Sequence, residues 1–380
     1  MKQGWEYKKL GEVCHITMGQ SPDGKSINDN EGVEFHQGKT CFGERTLGVS
    51  ILFSNAPVKL AEAHSVLLCV RAPVGYPNIT NRKICIGRGL CALYAKKDID
   101  NTFLFYSLLG KQSHFEKNAT GSTFKAISSK VISNTEIPLP PKSIQLAIVS
   151  ELDKINELIR LKKEQLKDYD NLTQSIFYEM FGDPVENEKG WEVKKIGDVC
   201  TDIRYGTSKP ACENGCYKYL RMCNITDDGF LNLSNLKTID IPDDEIEKCI
   251  VRHGDILFNR TNSIELVGKT CMFDNSEPMV IAGYIIRVRL NERLLPVVLA
   301  RMFNLVSIKK KLRSIAKGAV NQANINSKEL ASIRIPLPPL PLQHLFAQRI
   351  EQIERQKSAV QKSITDLETL LASRMQYWFE

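Results

Sequence analysis

Ile137-Pro-Leu-Pro-Pro141 and Ile335-Pro-Leu-Pro-Pro339 each open onto nearly forty residues without an internal proline or glycine. Proline suits the first turn of a helix, where its missing N–H costs nothing, so each motif reads as a helix start. The first helix is expected from about Ser143 to Phe181 and the second from about Pro341 to Trp378. Apolar residues recur in alternating steps of four and three, the spacing of a coiled-coil seam. The seam candidates are Leu152, Ile155, Ile159, Leu166, Tyr169 and Ile176 in the first helix. Ile350, Ile353, Val360, Ile364, Leu367 and Leu371 supply the second. A shift of 198 residues places Leu152 on Ile350 and Leu166 on Ile364. Lys162, Thr173, Lys357 and Arg374 break the pattern. Packing of each helix on its own domain is the simpler alternative, but a narrow stripe over several heptads suits a partner helix better.

The first helix leads through Gly182-Asp-Pro184 into the second half of the chain, and the second helix returns from it. Paired helices must therefore run antiparallel, as a rod of roughly 60 Å with a globular domain near each end. Outward from the helices, the chain is written twice. Gly4-Trp-Glu-Tyr-Lys-Lys-Leu-Gly-Glu-Val-Cys14 returns as Gly190-Trp-Glu-Val-Lys-Lys-Ile-Gly-Asp-Val-Cys200, a shift of 186. The shift grows to 198 by the proline motif, so the second half carries insertions between near-identical edges. Such a repeat suits one frame presenting two different surfaces, although gene duplication alone leaves the same trace. Approximate two-fold symmetry within one chain would match two sites in inverted orientation, which duplex DNA can offer.

Composition sets the bounds. The 380 residues are enough for two domains, and 42% hydrophobic with 25% charged residues excludes wholesale disorder. Runs such as Ser65-Val-Leu-Leu-Cys-Val70 fall far short of a membrane span, and Met1-Lys-Gln-Gly-Trp-Glu6 lacks the apolar stretch of a secretory signal. Eleven cysteines, an odd number, exclude a full disulfide framework, so a cytoplasmic location is expected. A net charge of +7 permits nucleic-acid binding without demanding it.

Residues 1–136 and 190–334 hold short alternating apolar runs broken by Gly, Pro and Asn, which read as mainly strand with some helix. Gly254-Asp-Ile-Leu-Phe-Asn-Arg-Thr-Asn-Ser263 reads as a strand emptying into a polar loop, and His64–Gly75 holds the corresponding place earlier. Arg71 and Arg260 each stand where the apolar run ends. Helix-like stretches precede Asn118-Ala-Thr-Gly-Ser-Thr-Phe-Lys125 and Lys317-Gly-Ala-Val-Asn-Gln322.

These segments together resemble type I restriction–modification specificity subunits. Tyr205-Gly-Thr-Ser208 and Gly254-Asp-Ile-Leu-Phe-Asn-Arg260 look like recurrent signatures of that family's target-recognition domains. Gly19-Gln-Ser-Pro22 with Val70-Arg-Ala-Pro-Val-Gly75 looks like another variant. The resemblance covers essentially the whole chain and implies an α+β fold. Two mixed α/β target-recognition domains, 1–140 and 184–338, are joined by spacer helices, 141–183 and 339–380. The helices form an antiparallel coiled coil within a pseudo-two-fold repeat.

The family implies a non-catalytic subunit that reads a bipartite site on double-stranded DNA. It docks two modification (methyltransferase) subunits, with restriction (translocase/nuclease) subunits joining later. No cofactor is expected in this chain; S-adenosylmethionine belongs to the methyltransferase partner. A stand-alone DNA-binding module and a protein scaffold with two repeated binding domains stay open as alternatives.

Sequence readout needs Arg, Lys, Asn and Gln aimed at base edges, with other polar groups gripping phosphate. The first-domain candidates are Gln20, Ser21, Lys25, Gln37, Lys39, Arg71 and Lys125. The second-domain candidates are Arg204, Tyr205, Thr207, Lys209, Arg221, Asn259, Arg260, Asn262, Lys269 and Gln322. Arg71, Tyr205 and Arg260 rank first, because they interrupt apolar or glycine-containing segments that hold the backbone.

Catalytic patterns fail on inspection. Gly268-Lys-Thr270 and Gly38-Lys-Thr40 resemble the end of a phosphate loop, but the required earlier glycine is Ser263 in one and Val33 in the other. Cys271-Met-Phe273 is also expected to continue as strand. Pro242-Asp-Asp-Glu-Ile-Glu-Lys248 resembles a metal-dependent nuclease motif, yet Ile246 stands where an acid is needed, so an acidic turn into a helix is expected. Cys200, Cys212, Cys216 and Cys223 have irregular spacing for zinc and are expected to be buried thiols, with no metal.

Overall fold

A computed structural model describes residues 4–121, 125–319 and 322–379 of the chain. It divides into two units: residues 1–163 with 362–380, and residues 164–361. The two long helices run Lys142–Phe181 and Leu340–Phe379, and each is unbroken across 40 residues. The prolines just before and at their starts leave no N–H to satisfy, and neither helix meets a breaker until Gly182 ends the first.

In the first unit, Cys14–Met18, Leu90–Ala95, Val66–Cys69 and Pro77–Ile79 form one antiparallel sheet in that order. A second sheet contains Val33–His36 parallel to Ile84–Ile86. The second unit repeats this arrangement. Cys200–Tyr205, Ile285–Leu290, Ile256–Asn259 and Thr270–Met272 form its antiparallel sheet, and Tyr217–Leu220 runs parallel to Met279–Ile281. The strand Glu6–Lys9 pairs antiparallel with Glu136–Leu139, as Glu192–Lys195 does with Arg334–Leu337. The duplicated edges of the sequence are therefore strands that meet each other next to the long helices. A one-residue β-bulge between Cys200 and Asp202 accounts for part of the shift between copies.

Each unit holds one end of both long helices, and there the two helices run antiparallel. In the first unit, Arg374 forks onto Glu151, which also accepts from Trp378 Nε1 at 3.1 Å, and Lys163 pairs with Glu368 at 3.0 Å. In the second, Lys357 meets Asp170 at 2.6 Å, while Phe177 and Phe181 pack on Phe346. The same ends also enter the domain cores. Ile148, Leu152 and Phe379 pack with Phe103 and Leu104, and Phe177, Phe181 and Phe346 pack with Val298 and Leu299. Both expected packing modes thus occur together. Leu152, Ile155, Ile159, Ile350, Ile353, Val360 and Ile364 are buried, and Leu166, Tyr169, Ile176, Leu367 and Leu371 are half-buried.

Two breaks in the apolar pattern are ion-pair positions. Lys357 reaches Asp170 and lies 4.2 Å from the Phe230 ring centroid, and Arg301 covers the same ring at 4.5 Å. Arg374 holds Glu151 and lies against Trp378. Thr173 is buried with its hydroxyl unpartnered among the described residues.

Two glutamines fasten the helix starts, one per unit. Gln145 and Gln343 are both 0% exposed. Gln145 Nε2 donates to the carbonyls of Pro140 (2.9 Å) and Asp98 (3.0 Å), and its Oε1 accepts from Asp100 N at 2.8 Å. Gln343 does the same with Pro338 (2.8 Å), Arg293 (3.0 Å) and Leu295 N (2.9 Å). Among the described residues no helix is long and apolar enough to cross a membrane.

Candidate nucleic-acid interface

The two recognition motifs each carry a glycine, Gly19 and Gly206, for a steric reason. A Cβ on Gly19 would lie 2.1 Å from the Gly87 carbonyl oxygen, and one on Gly206 would lie 2.1 Å from that of Ile281. Both motifs lie against a four-residue turn, Gly87–Leu90 in the first unit and Ala282–Ile285 in the second.

Four backbone hydrogen bonds around the turns match, while Gly283 N adds one to Thr207 O (2.7 Å) in the second unit. Leu90 N donates to Gly87 O (3.0 Å) and Ile285 N to Ala282 O (2.8 Å), closing the turns. Gly19 N reaches Leu90 O (2.9 Å) as Gly206 N reaches Ile285 O (3.1 Å). Gln20 N reaches Ile86 O (3.0 Å) as Thr207 N reaches Ile281 O (2.9 Å). Val70 N reaches Gly89 O (2.9 Å) as Arg260 N reaches Tyr284 O (3.0 Å). The shared bonds fix one backbone frame in both units, and the side chains it presents differ.

In the first unit this wiring gathers several of the sequence-predicted residues. Gln20 is exposed one bond from the turn. Gln37 is exposed beside Gly87 and Gly89, where an added Cβ would meet its backbone. Arg71 is exposed with no hydrogen bond or ion pair among the described residues, and it bridges Ala126 next to exposed Lys125. Lys39 is exposed with its ammonium 4.6 Å from the Tyr76 ring centroid. Ser21 is half-buried, its hydroxyl unpartnered among the described residues. Lys25 is not tied to the turn; it sits on a short 3-10 turn anchored by Asp23.

In the second unit many candidates are already engaged. Asn259 is a correction: it is 0% exposed, because the strand continues through it and pairs it with Ile285. With its amide oriented by its neighbours, it donates to the carbonyls of Thr261 (3.0 Å) and Tyr284 (3.2 Å) and accepts from Asn262 (3.1 Å). Arg260 is half-buried; its Nε donates to Gly283 O at 2.9 Å and its guanidinium lies 4.9 Å from the Tyr205 ring centroid. Tyr205 in turn accepts from Ser327 N at 2.8 Å. Arg71 and Arg260 are not equivalent. Both Val70 O and Arg260 O accept from the matching amides of Ile127 and Ile325, so Arg260 corresponds to Val70 and Arg71 to Thr261.

The remaining positions follow the same division. Arg204 is held by Asp202 (2.9 Å), Lys209 by Glu245 (2.9 Å), and Arg221 donates to Asn235 O (2.8 Å). Burial pulls the Lys269 ammonium below its ordinary range. Thr207 and Asn262 are half-buried and Gln322 is exposed. Ser122, Thr123, Phe124, Val320 and Asn321, within the two predicted polar segments, lie outside the described residues.

Two exposed turn residues escaped the sequence reading. Arg88 stands between two buried glycines, and Tyr284 is 51% exposed on the matching turn. The usable signal was Ile84-Cys-Ile-Gly-Arg-Gly89, a cation between glycines directly after an apolar strand.

The cysteines also differ from expectation. Cys212, Cys216 and Cys223 are exposed and Cys200 is half-buried. Asp240 organises the loop instead, accepting from Cys216 N at 2.8 Å and lying 3.5 Å from Cys212 Sγ. Thr270–Met272 is a strand and Asp243–Cys249 a helix, both as the residue patterns indicated.

The first unit's sheet is fastened by a buried charge. Burial pushes Glu34 up, but the Arg82 fork (2.6 Å to each oxygen), the Ser50 amide and His36 outweigh it. The carboxyl is held at about 2, below its ordinary 4.5. In the second unit Arg287, 1% exposed, plays the equivalent fastening part, and it holds Asp202 below the usual carboxylate range against the cost of burial.

A family model described as the type I restriction modification DNA specificity domain matches residues 2–168 and again residues 188–369. A putative type I restriction enzyme MjaX specificity subunit of Methanocaldococcus jannaschii is 39% identical over 178 residues, covering 46% of this chain and 42% of that protein. The MjaIX specificity subunit of the same organism is 25% identical, covering 55% of this chain and 54% of that protein. The MjaVIII specificity subunit, also from that organism, is 22% identical across 97% of this chain and 92% of that protein. The match thus spans about half the length of the first two relatives and nearly all of the third. Among solved structures, a type I restriction-modification S subunit from M. genitalium shares the fold at 15% identity, with a TM-score of 0.55 over 100% of this chain and 98% of that one. A chain from a structure of type I R-M complex assembly and conformational transition does so at 20% identity, with a TM-score of 0.66 over the same shares.

Proposed function

The chain belongs to the type I restriction-modification DNA specificity family, and on that premise we propose that it reads a bipartite DNA sequence, one half-site by each unit. One observation carries the proposal: a corresponding turn, held by four matching backbone hydrogen bonds, ends in different side chains in the two units. A repeated frame with unlike tips suits two unlike base sequences. It suits two copies of one protein partner poorly, since identical partners call for like surfaces. Exposed Gln, Arg and Lys around the first turn are the residue types that grip base edges and phosphate.

In this reading the chain performs no chemistry and binds no cofactor of its own. Two modification subunits, carrying S-adenosylmethionine, dock on it, restriction subunits join them, and the assembly works in the cytoplasm. Binding by the chain alone is electrostatic and falls steeply with salt, whereas specificity needs both units. The long helices set the distance between half-sites. Inserting four residues in one lengthens it by about 6 Å, equivalent to one or two base pairs.

The test is to map methylated-base motifs in cells with this gene intact and deleted, with the modification subunit present in both. A two-part motif that disappears on deletion supports the proposal; an unchanged methylation pattern overturns it. An insertion variant that methylates sites with an unaltered spacer overturns the spacing role.

A further inference from the structure

Arg88 occupies a position built to present one side chain and nothing else. Gly87 and Gly89 on either side of it are buried; Gly89 has no room for a side chain and Gly87 has only a tight fit. A Cβ on Gly89 would lie 2.2 Å from Gln37 O, and one on Gly87 would lie 3.0 Å from the Phe35 ring. The turn is tied to three separate segments: Gly87 N donates to His36 O (2.8 Å), Val70 N to Gly89 O (2.9 Å), and Gly19 N to Leu90 O (2.9 Å). The Arg88 backbone is thus held from every side, while its guanidinium is exposed and has no hydrogen bond or ion pair among the described residues.

An exposed arginine on a mobile loop needs no explanation, but a fixed one among exposed carboxamides does. A guanidinium fork can grip a phosphate as well as a base edge, so it is the company it keeps that separates the two. Base edges ask for a planar donor fork and for amides that donate and accept together. Gln20 and Gln37, both exposed, flank the turn and provide such amides. We propose that Arg88 is a specificity-determining residue of the first unit and forks onto the O6 and N7 acceptors of one guanine in that unit's half-site. The inference rests on the proposed reading of this chain as a DNA-sequence reader. Gly283 and Tyr284 stand at the positions of Arg88 and Gly89 in the second unit, and the neighbouring Arg260 is tied back to Gly283 O, so the fork of Arg88 has no counterpart presented outward by that turn.

The experiment uses the full chain assembled with its modification subunits and a pool of randomised duplex DNA. Wild type, Arg88→Ala and Arg88→Gln are each put through selection and sequencing, with thermal melting to confirm that the variants fold. Wild type should select a two-part motif. Both variants should lose preference for a single guanine in one half-site by about 5- to 150-fold, the range set by one bidentate base contact, with the other half-site unchanged. A wild-type assembly that selects no motif overturns the DNA-reading function itself. A wild type that selects a motif which Arg88→Ala and Arg88→Gln keep intact, whether at equal or at uniformly weaker affinity, leaves that function standing and overturns the guanine contact.

Discussion

The turns Gly87–Leu90 and Ala282–Ile285 share four backbone bonds and differ in what they hold out. The first exposes Arg88 between two glycines; the second exposes Tyr284, and the neighbouring carbonyl of Gly283 is taken by Arg260. Divergence after duplication kept the four bonds that hold each turn while changing the side chains presented there. Breaking one of those bonds costs folding energy, while a change at an exposed tip costs little. A chain built this way can alter what one unit recognises without disturbing the other.

If the two frames are equivalent, their fastenings should fail equally. Gln145→Ala and Gln343→Ala should each lower stability by about 3 kcal/mol, since each strands one buried carbonyl, one half-buried carbonyl and one N–H. Denaturant melts of the two variants that differed by more than about 2 kcal/mol would break the comparison.

The next effect distinguishes the units. Arg82→Gln should cost about 2 kcal/mol at neutral pH, because Glu34 loses its fork in a nearly buried site. Glu34 is held at about 2 in the folded chain against an ordinary 4.5. The stabilisation is therefore complete above pH 4.5 and is lost as pH falls through about 2. Melting curves of wild type and variant should converge on acidification; a gap that stays constant down to pH 2 would assign the cost to lost packing instead.

Smaller still is the contrast at the turns themselves. Gly89→Ala should cost about 1–2 kcal/mol, because its Cβ runs into the Gln37 carbonyl. Tyr284→Ala, at the matching place, should cost no more than about 0.5 kcal/mol while changing base preference in the second half-site alone. If selection showed Tyr284→Ala acting on the first half-site, the assignment of one half-site to each unit would be wrong.

The long helices were legible because their cause is local and periodic. Proline at the start, an apolar stripe and the absence of breakers are all printed along one stretch, and the helices begin and end within a residue or two of expectation. Gln145 and Gln343 were not legible, since one amide in a helix face has no period and its partners lie some 45 residues away. Asn259 was misread for a related reason. A polar residue after Ile-Leu-Phe looks like the end of a strand, but the sheet continues one residue further because Ile285 is there to pair with it. Arg71 and Arg260 look alike by eye, and only the amides of Ile127 and Ile325 show that they stand one register apart. Arg88 escaped notice because its importance comes from segments around positions 19, 36 and 70 that meet only in the fold.

Repetition, helix starts and apolar spacing are properties of neighbours along the chain, and from them the sequence alone determined two like domains joined by two long helices. Which polar side chains are spent on the fold and which are left facing outward was decided by the tertiary structure. The physical reason is that a hydrogen bond depends on a partner's position in space. For Asn259, Arg260 and Arg88 alike, the groups that bury, hold or flank them come from distant parts of the sequence.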